Sequence, residues 1–305
     1  MKTIKLLAYV SFMAFPLHLL HSEPHCPEQI TGVHLRSFPD AAIVVRLEVN
    51  NTGPYDFLVD TGAQITEIDS SLASELHLES QGTAGVIGVG VYTKGVPLVE
   101  LSELQVGSQV VERVLATVHN LNRFQNTDRE IRGVLGENFL RNFDVLIDYG
   151  HNILCLDETR RMEQDLKGER IPLIVPLQKE GGASHPETLV IPVHVSGGKA
   201  KDLRLLLDSG SSSPLLYCPH NGKEVAHEKA SIRWTGADGA EQLFAVLAPQ
   251  DIQIGARSIA RVSFVAPIST GNDVPEIGVD GLLPTALFRR VYINYANRYT
   301  VFDPR

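Results

Sequence analysis

Two short stretches of this chain say nearly the same thing. Phe57-Leu58-Val59-Asp60-Thr61-Gly62-Ala63 drives an apolar run into an acid, a small hydroxyl residue and a glycine. Leu205-Leu206-Leu207-Asp208-Ser209-Gly210-Ser211 does so again, with Asp208 standing 148 residues after Asp60. One such triplet reads as a turn, because the carboxylate accepts from nearby amides and glycine tolerates unusual backbone angles. The spacing, however, recurs. Ile191 follows Ile43 by 148, Gly236 follows Gly88, Ile252-Gln253-Ile254-Gly255 follows Leu104-Gln105-Val106-Gly107, and Asp280-Gly281-Leu282-Leu283 follows Arg132-Gly133-Val134-Leu135. Only Ile293-Asn294-Tyr295 slips, matching Ile147-Asp148-Tyr149 at 146. A near-constant offset across so many features marks a tandem duplication. Two copies make no solenoid, so the expected arrangement is a pair of lobes about a pseudo-two-fold axis with a cleft between them.

The units are strand-rich. Ile43 to Val49 alternates as a half-buried strand, Asn50 to Pro54 is a turn, and a second strand ends at Asp60. Asp69 is placed to cap a short helix reaching Leu78, with Leu72 and Leu76 one turn apart. Glycines among β-branched residues from Gly85 to Val91 suit a hairpin and not a nucleotide loop, since the GxGxxG spacing is absent. Strand patterns follow at 98–106, 110–118, 145–147 and 153–156, with a short amphipathic segment from Glu137 to Arg141. The fold class expected is mostly β: two tandem β-barrel lobes with a few short helices. The lobes run over 30–157 and 171–305, joined by a charged linker at 158–170.

Lys2 and Lys5 precede an apolar stretch from Leu6 to Leu20, the shape of a secretory signal over 1–22. An uncleaved anchor is the alternative. The expected destination is export, periplasmic or secreted. Cys26, Cys155 and Cys218 allow one disulfide in an oxidising compartment, but spacing does not say which pair forms, and isolated thiols are the simpler reading. A net charge of −9 without basic blocks gives no footprint for nucleic acid. Eleven histidines lack HExxH or any paired metal spacing, and His194 and His220 read as lone residues. Gly210-Ser211-Ser212-Ser213-Pro214 is not GxSxG, so a serine nucleophile elbow is missing. No metal ligand set and no cofactor are expected.

Two carboxylates brought to one axis cannot both ionise cheaply, so they hold one proton between them. Such a pair can act as base on a water and as acid on a carbonyl oxygen in a single step. Gly62 and Gly210 then let the backbone pass close, while the Thr61 and Ser209 hydroxyls can tie the two loops together.

At this point the sequence resembles a known family. Apolar-apolar-Asp-Thr/Ser-Gly-Ala/Ser, followed by a short helix and later by apolar-Gly, is the pattern of the aspartic proteases. The stretch from Leu58 to Leu78 is similar to their bacterial retropepsin-like branch. The resemblance implies acid-protease-like lobes and a catalytic pair, Asp60 and Asp208, supported by Thr61, Gly62, Ser209 and Gly210. It implies a flap over the substrate at Gly85–Val91, with Gly88, Gly90 and the following Tyr92, and a partner hairpin at Trp234 and Gly236. It also implies that Gly133–Gly136 and Gly281–Leu283 pack behind the two acids. The second copy departs from the first at Pro284, which stands in the place of Gly136, and Pro214, Pro219 and Gly222 interrupt the segment after Asp208.

The expected activity is peptide-bond hydrolysis by a monomer acting on a peptide or protein. The expected partners include no nucleic acid and no membrane beyond an N-terminal anchor. A catalytically inactive peptide- or protein-binding module with the same fold is the alternative, and an oligomer with composite sites is a third arrangement.

Overall fold

The computed structural model of the protein describes residues 26–27, 30, 32–37, 42–88, 91–121, 130–158, 161–174, 188–195, 202–217, 227–235, 241–268 and 278–304. The signal segment and Cys218 lie outside them. The alternation read between Ile43 and Val49 is a strand whose polar positions, Arg46 and Glu48, are the exposed ones. Strands in the first half are β1 (Gly32–His34), β2 (Arg36–Ser37), β3 (Ile43–Val49), β4 (Thr52–Val59), β5 (Thr66–Asp69), β6 (Ser80–Gly88), β7 (Val91–Val106), β8 (Gln109–His119), β9 (Ile131–Leu135), β10 (Asp144–Asp148) and β11 (Ile153–Asp157). Helices α1 (Ser70–Glu75) and α2 (Glu137–Leu140) interrupt them, and α3 (Arg161–Asp165) lies within the charged stretch 158–170. In the second half come β12 (Ile171–Pro172), β13 (Val190–Val195), β14 (Leu203–Asp208), β15 (Leu215–Leu216), β16 (His227–Thr235), β17 (Glu241–Leu247), β18 (Gln250–Ile254), β19 (Arg257–Val262) and β20 (Val265–Pro267). The last are β21 (Gly281–Pro284), β22 (Arg290–Asn294) and β23 (Tyr299–Phe302), with a 3-10 turn at Thr285–Leu287.

Asp69 caps α1 as its position suggests, accepting from the Ser71 amide at 2.9 Å and also holding the Leu121 amide. Leu72 buries the inner face of that helix.

Each half builds its own sheet from the same pairings. In the first, β4 runs parallel to β9, and β5 lies antiparallel to β9 and parallel to β8. In the second, β14 runs parallel to β21, and β15 lies antiparallel to β21 and parallel to β20. The register corrects one sequence equivalence. Val45 pairs with Phe57, whereas Ile191 pairs with Leu205, so Ile191 takes the place of Val45 and not of Ile43. The same shift holds at the far edge, where Glu48 meets Gln105 and His194 meets Gln253. The connection between β13 and β14 is thus two residues longer than its counterpart. A surface connection absorbs such an insertion, while buried faces fix which residues pair.

A third sheet, ordered β1-β11-β10-β22-β23-β12, takes strands from both halves. Its centre is the antiparallel pair β10–β22, with Asp144 opposite Asn294, Leu146 opposite Tyr292 and Asp148 opposite Arg290. All five residues of β10 are buried. Buried polar groups there are satisfied locally: the Tyr292 hydroxyl donates to the Asp144 carboxylate at 2.7 Å, and the Asn294 amide donates to that hydroxyl at 3.0 Å. One hydrophobic cluster continues through both halves, from Val45, Phe57 and Val145 to Leu205, Ile252 and Ile293.

Cys26 and Cys155 form a disulfide across a sequence separation of 129, tying the N-terminal segment to β11. Isolated thiols are therefore the wrong expectation for these two. Their partnership depends on a long chain closure that local sequence does not display.

Candidate active site

Buried strands deliver the two acids. Phe57, Leu58 and Val59 are buried as β4 approaches Asp60, and Leu205, Leu206 and Leu207 are buried as β14 reaches Asp208. The parallel neighbours stand behind: the Asp60 amide donates to the Leu135 carbonyl at 3.0 Å, and Asp208 lies opposite Pro284. The segments expected behind the acids are thus strands β9 and β21. At Gly136 a Cβ would lie 2.7 Å from the Ile65 carbonyl carbon, so the chain there has no room for a side chain.

Each carboxylate also folds its own loop. Asp60 Oδ1 accepts from the Gly62 amide at 2.8 Å and the Ala63 amide at 3.2 Å. Asp208 Oδ1 accepts from Gly210 at 2.7 Å and Ser211 at 3.1 Å. These are turns of the Asx type, which orient the acid and leave its other oxygen for a further partner.

Hydrogen bonds between the loops are reciprocal. The Thr61 amide donates to the Ser209 hydroxyl and the Ser209 amide to the Thr61 hydroxyl, both at 3.0 Å. The Thr61 hydroxyl donates to the Leu207 carbonyl, and the Ser209 hydroxyl to the Val59 carbonyl, both at 2.8 Å. Thr61 and Ser209 are almost wholly buried, so these bonds are shielded from water. The two glycines are needed for close approach. A Cβ at Gly62 would stand 2.7 Å from Asp208 Cγ, and one at Gly210 would stand 2.4 Å from Asp60 Oδ2.

The carboxyls are therefore neighbours. Burial, then the charge of Asp60, then the hydrogen bond that the protonated carboxyl donates to the Asp60 side chain push Asp208 well above the usual carboxylate range. Backbone donation from Gly210 and Ser211 opposes the shift without cancelling it. Such a pair carries one proton between its members over a wide pH range.

Two phenols missed by the sequence reading stand in the same field. Tyr149 and Tyr217 are both pushed above the ordinary tyrosine range, first by burial and then by the charges of Asp208 and Asp60. They are neutral hydrogen-bonding groups at any working pH. Tyr149 was within reach of sequence reasoning, since Tyr295 repeats it in the matched segment; Tyr217 left no comparable signal.

The hairpin expected between Gly85 and Val91 is formed by β6 and β7, with Gly88 opposite Val91 and Ile87 opposite Tyr92. Tyr92 folds back on its own hairpin: a Cβ at Gly85 would come 2.5 Å from its hydroxyl, and the Lys94 ammonium lies 5.6 Å from its ring centre. Trp234 sits in β16 opposite Gln242 of β17. Gly90 and Gly236 lie outside the described residues. The structure thus brings Asp60, Thr61, Gly62, Asp208, Ser209 and Gly210 to one point, with Gly88, Tyr92 and Trp234 on two hairpins. Among the described residues Tyr92 makes no hydrogen bond to either aspartate.

Residues 45–142 match the family model described as gag-polyprotein putative aspartyl protease. No curated protein matches the chain significantly. Among solved structures, a retropepsin-like aspartic protease from Rickettsia conorii is similar at 19% identity and a TM-score of 0.30, over 42% of this chain and 90% of that one. The matched segment contains the Asp60 loop with its backing strand, and over it the chain is similar to the aspartyl proteases of that family; the same strand pairing recurs around Asp208.

Proposed function

We propose that this protein is a single-chain aspartic endopeptidase in which Asp60 and Asp208 activate water between them. The observation that carries the reading is that the two reciprocally bonded loops bring the carboxyls together, so that a Cβ at Gly210 would fall 2.4 Å from Asp60 Oδ2, while burial and the Asp60 charge favour the protonated form of Asp208. Asp60, the more exposed member, takes a proton from a water placed between the carboxyls. That water's oxygen bonds to the scissile carbonyl carbon as Asp208 gives its proton to the carbonyl oxygen, forming a neutral gem-diol. The proton on Asp60 then passes to the amide nitrogen, Asp208 recovers its proton from one diol hydroxyl, and the carbon–nitrogen bond breaks. Acid and base are restored in one cycle.

On this reading 30–157 and 171–305 act as two lobes about a pseudo-two-fold axis, with 158–170 as the linker. The reciprocal loop bonds and the shared β10–β22 pair support it. A peptide or protein substrate lies extended beneath the β6–β7 and β16–β17 hairpins, bound through its backbone with side chains in alternating pockets. Gly88, Gly90, Tyr92, Trp234 and Gly236 are the residues proposed to meet it. The working unit is a monomer. Export is supported by the signal-like N-terminus and by the Cys26–Cys155 bond, because disulfides persist in oxidising compartments.

The test is cleavage of an unbiased peptide library from about pH 3 to 8, a range that spans carboxyl titration. Asp60→Asn and Asp208→Asn should each lower the rate by at least roughly 10²-fold. Undiminished cleavage by either variant overturns the pair. Wild-type protein that binds peptides and cleaves none is instead the binding module.

A further inference from the structure

We propose that Tyr149 is a positioning residue for Asp208: it is carried by the first half of the chain and braces the segment behind the second half's aspartate. The inference rests on the reading of Asp60 and Asp208 as the working pair, and it adds a residue to which neither the family match nor the triplet motif points.

The geometry begins with the central strands. Because β10 and β22 run antiparallel with Leu146 opposite Tyr292, the end of each strand lies beside the start of the other. Tyr149, just past β10, is therefore delivered to the second half of the chain. Its amide donates to the Arg289 carbonyl at 2.9 Å. Its hydroxyl is hydrogen-bonded to the Thr285 hydroxyl at 2.5 Å. Thr285 is completely buried and follows Pro284, the residue opposite Asp208 in the parallel pair β14–β21. Two residues thus separate the phenol contact from the acid: Thr285, and the proline that backs the acid directly.

The opposite crossing has the same form. Tyr295, just past β22, stands near Glu137 and Arg141 of the first half, close enough for their charges to act on its phenol. Glu137 follows Gly136, and its amide donates to the Ala63 carbonyl at 2.7 Å in the Asp60 loop. Each central strand therefore ends in a tyrosine that reaches the segment behind the other half's acid. The crossings differ in chemistry: Tyr149 is hydrogen-bonded to a hydroxyl, whereas the buried Tyr295 hydroxyl makes no hydrogen bond among the described residues. Only the first is a hydroxyl–hydroxyl tie, and it is on the side of the acid held protonated.

Such a brace matters because the shared proton depends on the distance between the carboxyls. Asp208 is held from in front by Gly210 and Ser211 and from behind by the Pro284–Thr285 segment. Releasing the back leaves the Asx turn intact but lets the whole loop relax away from Asp60. The carboxyl–carboxyl hydrogen bond then weakens and the proton is lost at lower pH. Tyr149 also lies in the field of both aspartates, as a brace placed directly beneath them should.

The experiment compares Tyr149→Phe, Thr285→Val, their double variant and Thr285→Ser, each first checked for folding by circular dichroism and thermal melting. Tyr149→Phe and Thr285→Val should each lower kcat by roughly ten-fold, in the range expected for displacing a catalytic group by part of an ångström. KM should stay within about two-fold. The upper limb of the pH–rate profile should move to lower pH, and the double variant should be no worse than the poorer single one. Thr285→Ser keeps the hydroxyl and should behave as wild type. Carbon-13 titration of the aspartate carboxyls gives a second readout, in which the raised carboxyl should titrate at lower pH in Tyr149→Phe. Unchanged pH limbs, additive losses, or a Thr285→Ser variant as poor as Thr285→Val would overturn the brace. If the wild type cleaves no peptide, the peptidase reading fails by itself; the carboxyl titration still decides the brace, and an unmoved titration refutes it.

Discussion

Replacing Thr61 by valine tests the bonds that hold the two acid loops together. The substitution keeps the shape of the side chain and removes one hydroxyl. That hydroxyl donates to the Leu207 carbonyl at 2.8 Å and accepts from the Ser209 amide at 3.0 Å. Thr61 is 1% exposed, so water cannot replace either partner without a rearrangement. A net hydrogen bond contributes roughly 0.5–1.5 kcal/mol, and a buried donor left without a partner costs about 1–3 kcal/mol. The Ser209 amide is the donor stranded here, which puts the expected loss at about 2–4 kcal/mol. With roughly 2–4 °C per kcal/mol in somewhat smaller proteins, melting should fall by about 4–16 °C. Urea denaturation with matched m-values measures the loss directly. Thr61→Ser is the control, since it keeps both bonds and gives up only a methyl group. Ser209→Ala breaks the mirror pair, the bonds to the Thr61 amide and the Val59 carbonyl, and should cost a similar amount. If Thr61→Val loses no more than Thr61→Ser, the loops are held by packing and the reciprocal bonds are incidental.

Asp208→Asn should do opposite things to activity and stability. The folded-state pKa of Asp208 lies above its unfolded value, so between the two the folded protein binds more protons than the unfolded chain. Stability from this group is therefore greatest in acid and declines as pH rises through that window, by about 1.4 kcal/mol per unit of separation. An amide cannot ionise and can still accept from Gly210 and Ser211. The variant should melt above wild type at neutral pH, with the gap closing below about pH 4; a gap that does not change with pH refutes the shared proton. For the disulfide, closing a loop spanning 129 residues predicts about 4–5 kcal/mol in the chain-entropy picture. The double replacement Cys26→Ser/Cys155→Ser should lose roughly 2–5 kcal/mol in urea unfolding, and a loss under 1 kcal/mol means the segment is pinned by other contacts.

What could be read from residues alone follows from how each residue does its work. The Asp-Thr-Gly and Asp-Ser-Gly loops were legible because every position in them is fixed by a contact that only one side-chain class can make. The acid accepts two amides of its own loop, the hydroxyl spans to a carbonyl of the other loop, and the glycine leaves room for the opposite carboxylate. The offset of 148 held for both acid loops and the strands behind them, and it misassigned Ile191 because two residues inserted between β13 and β14 leave no trace in the alternation on either side. Cys26 and Cys155 could not be matched, since closure over so long a span is decided by β11 meeting β1 and not by local sequence. Tyr149 shows the same limit more sharply. The sequence aligned it with Tyr295, yet alignment places a residue only within its own copy. Its partner Thr285 belongs to the other half and is reached because two corresponding strands, β10 and β22, pair antiparallel at Leu146 and Tyr292. The repeated spacing tells which residues correspond; the crossing at the centre tells which of them meet. A pair of halves that pack this way places the support for each acid in the other half, so neither loop is complete until both halves are folded against each other.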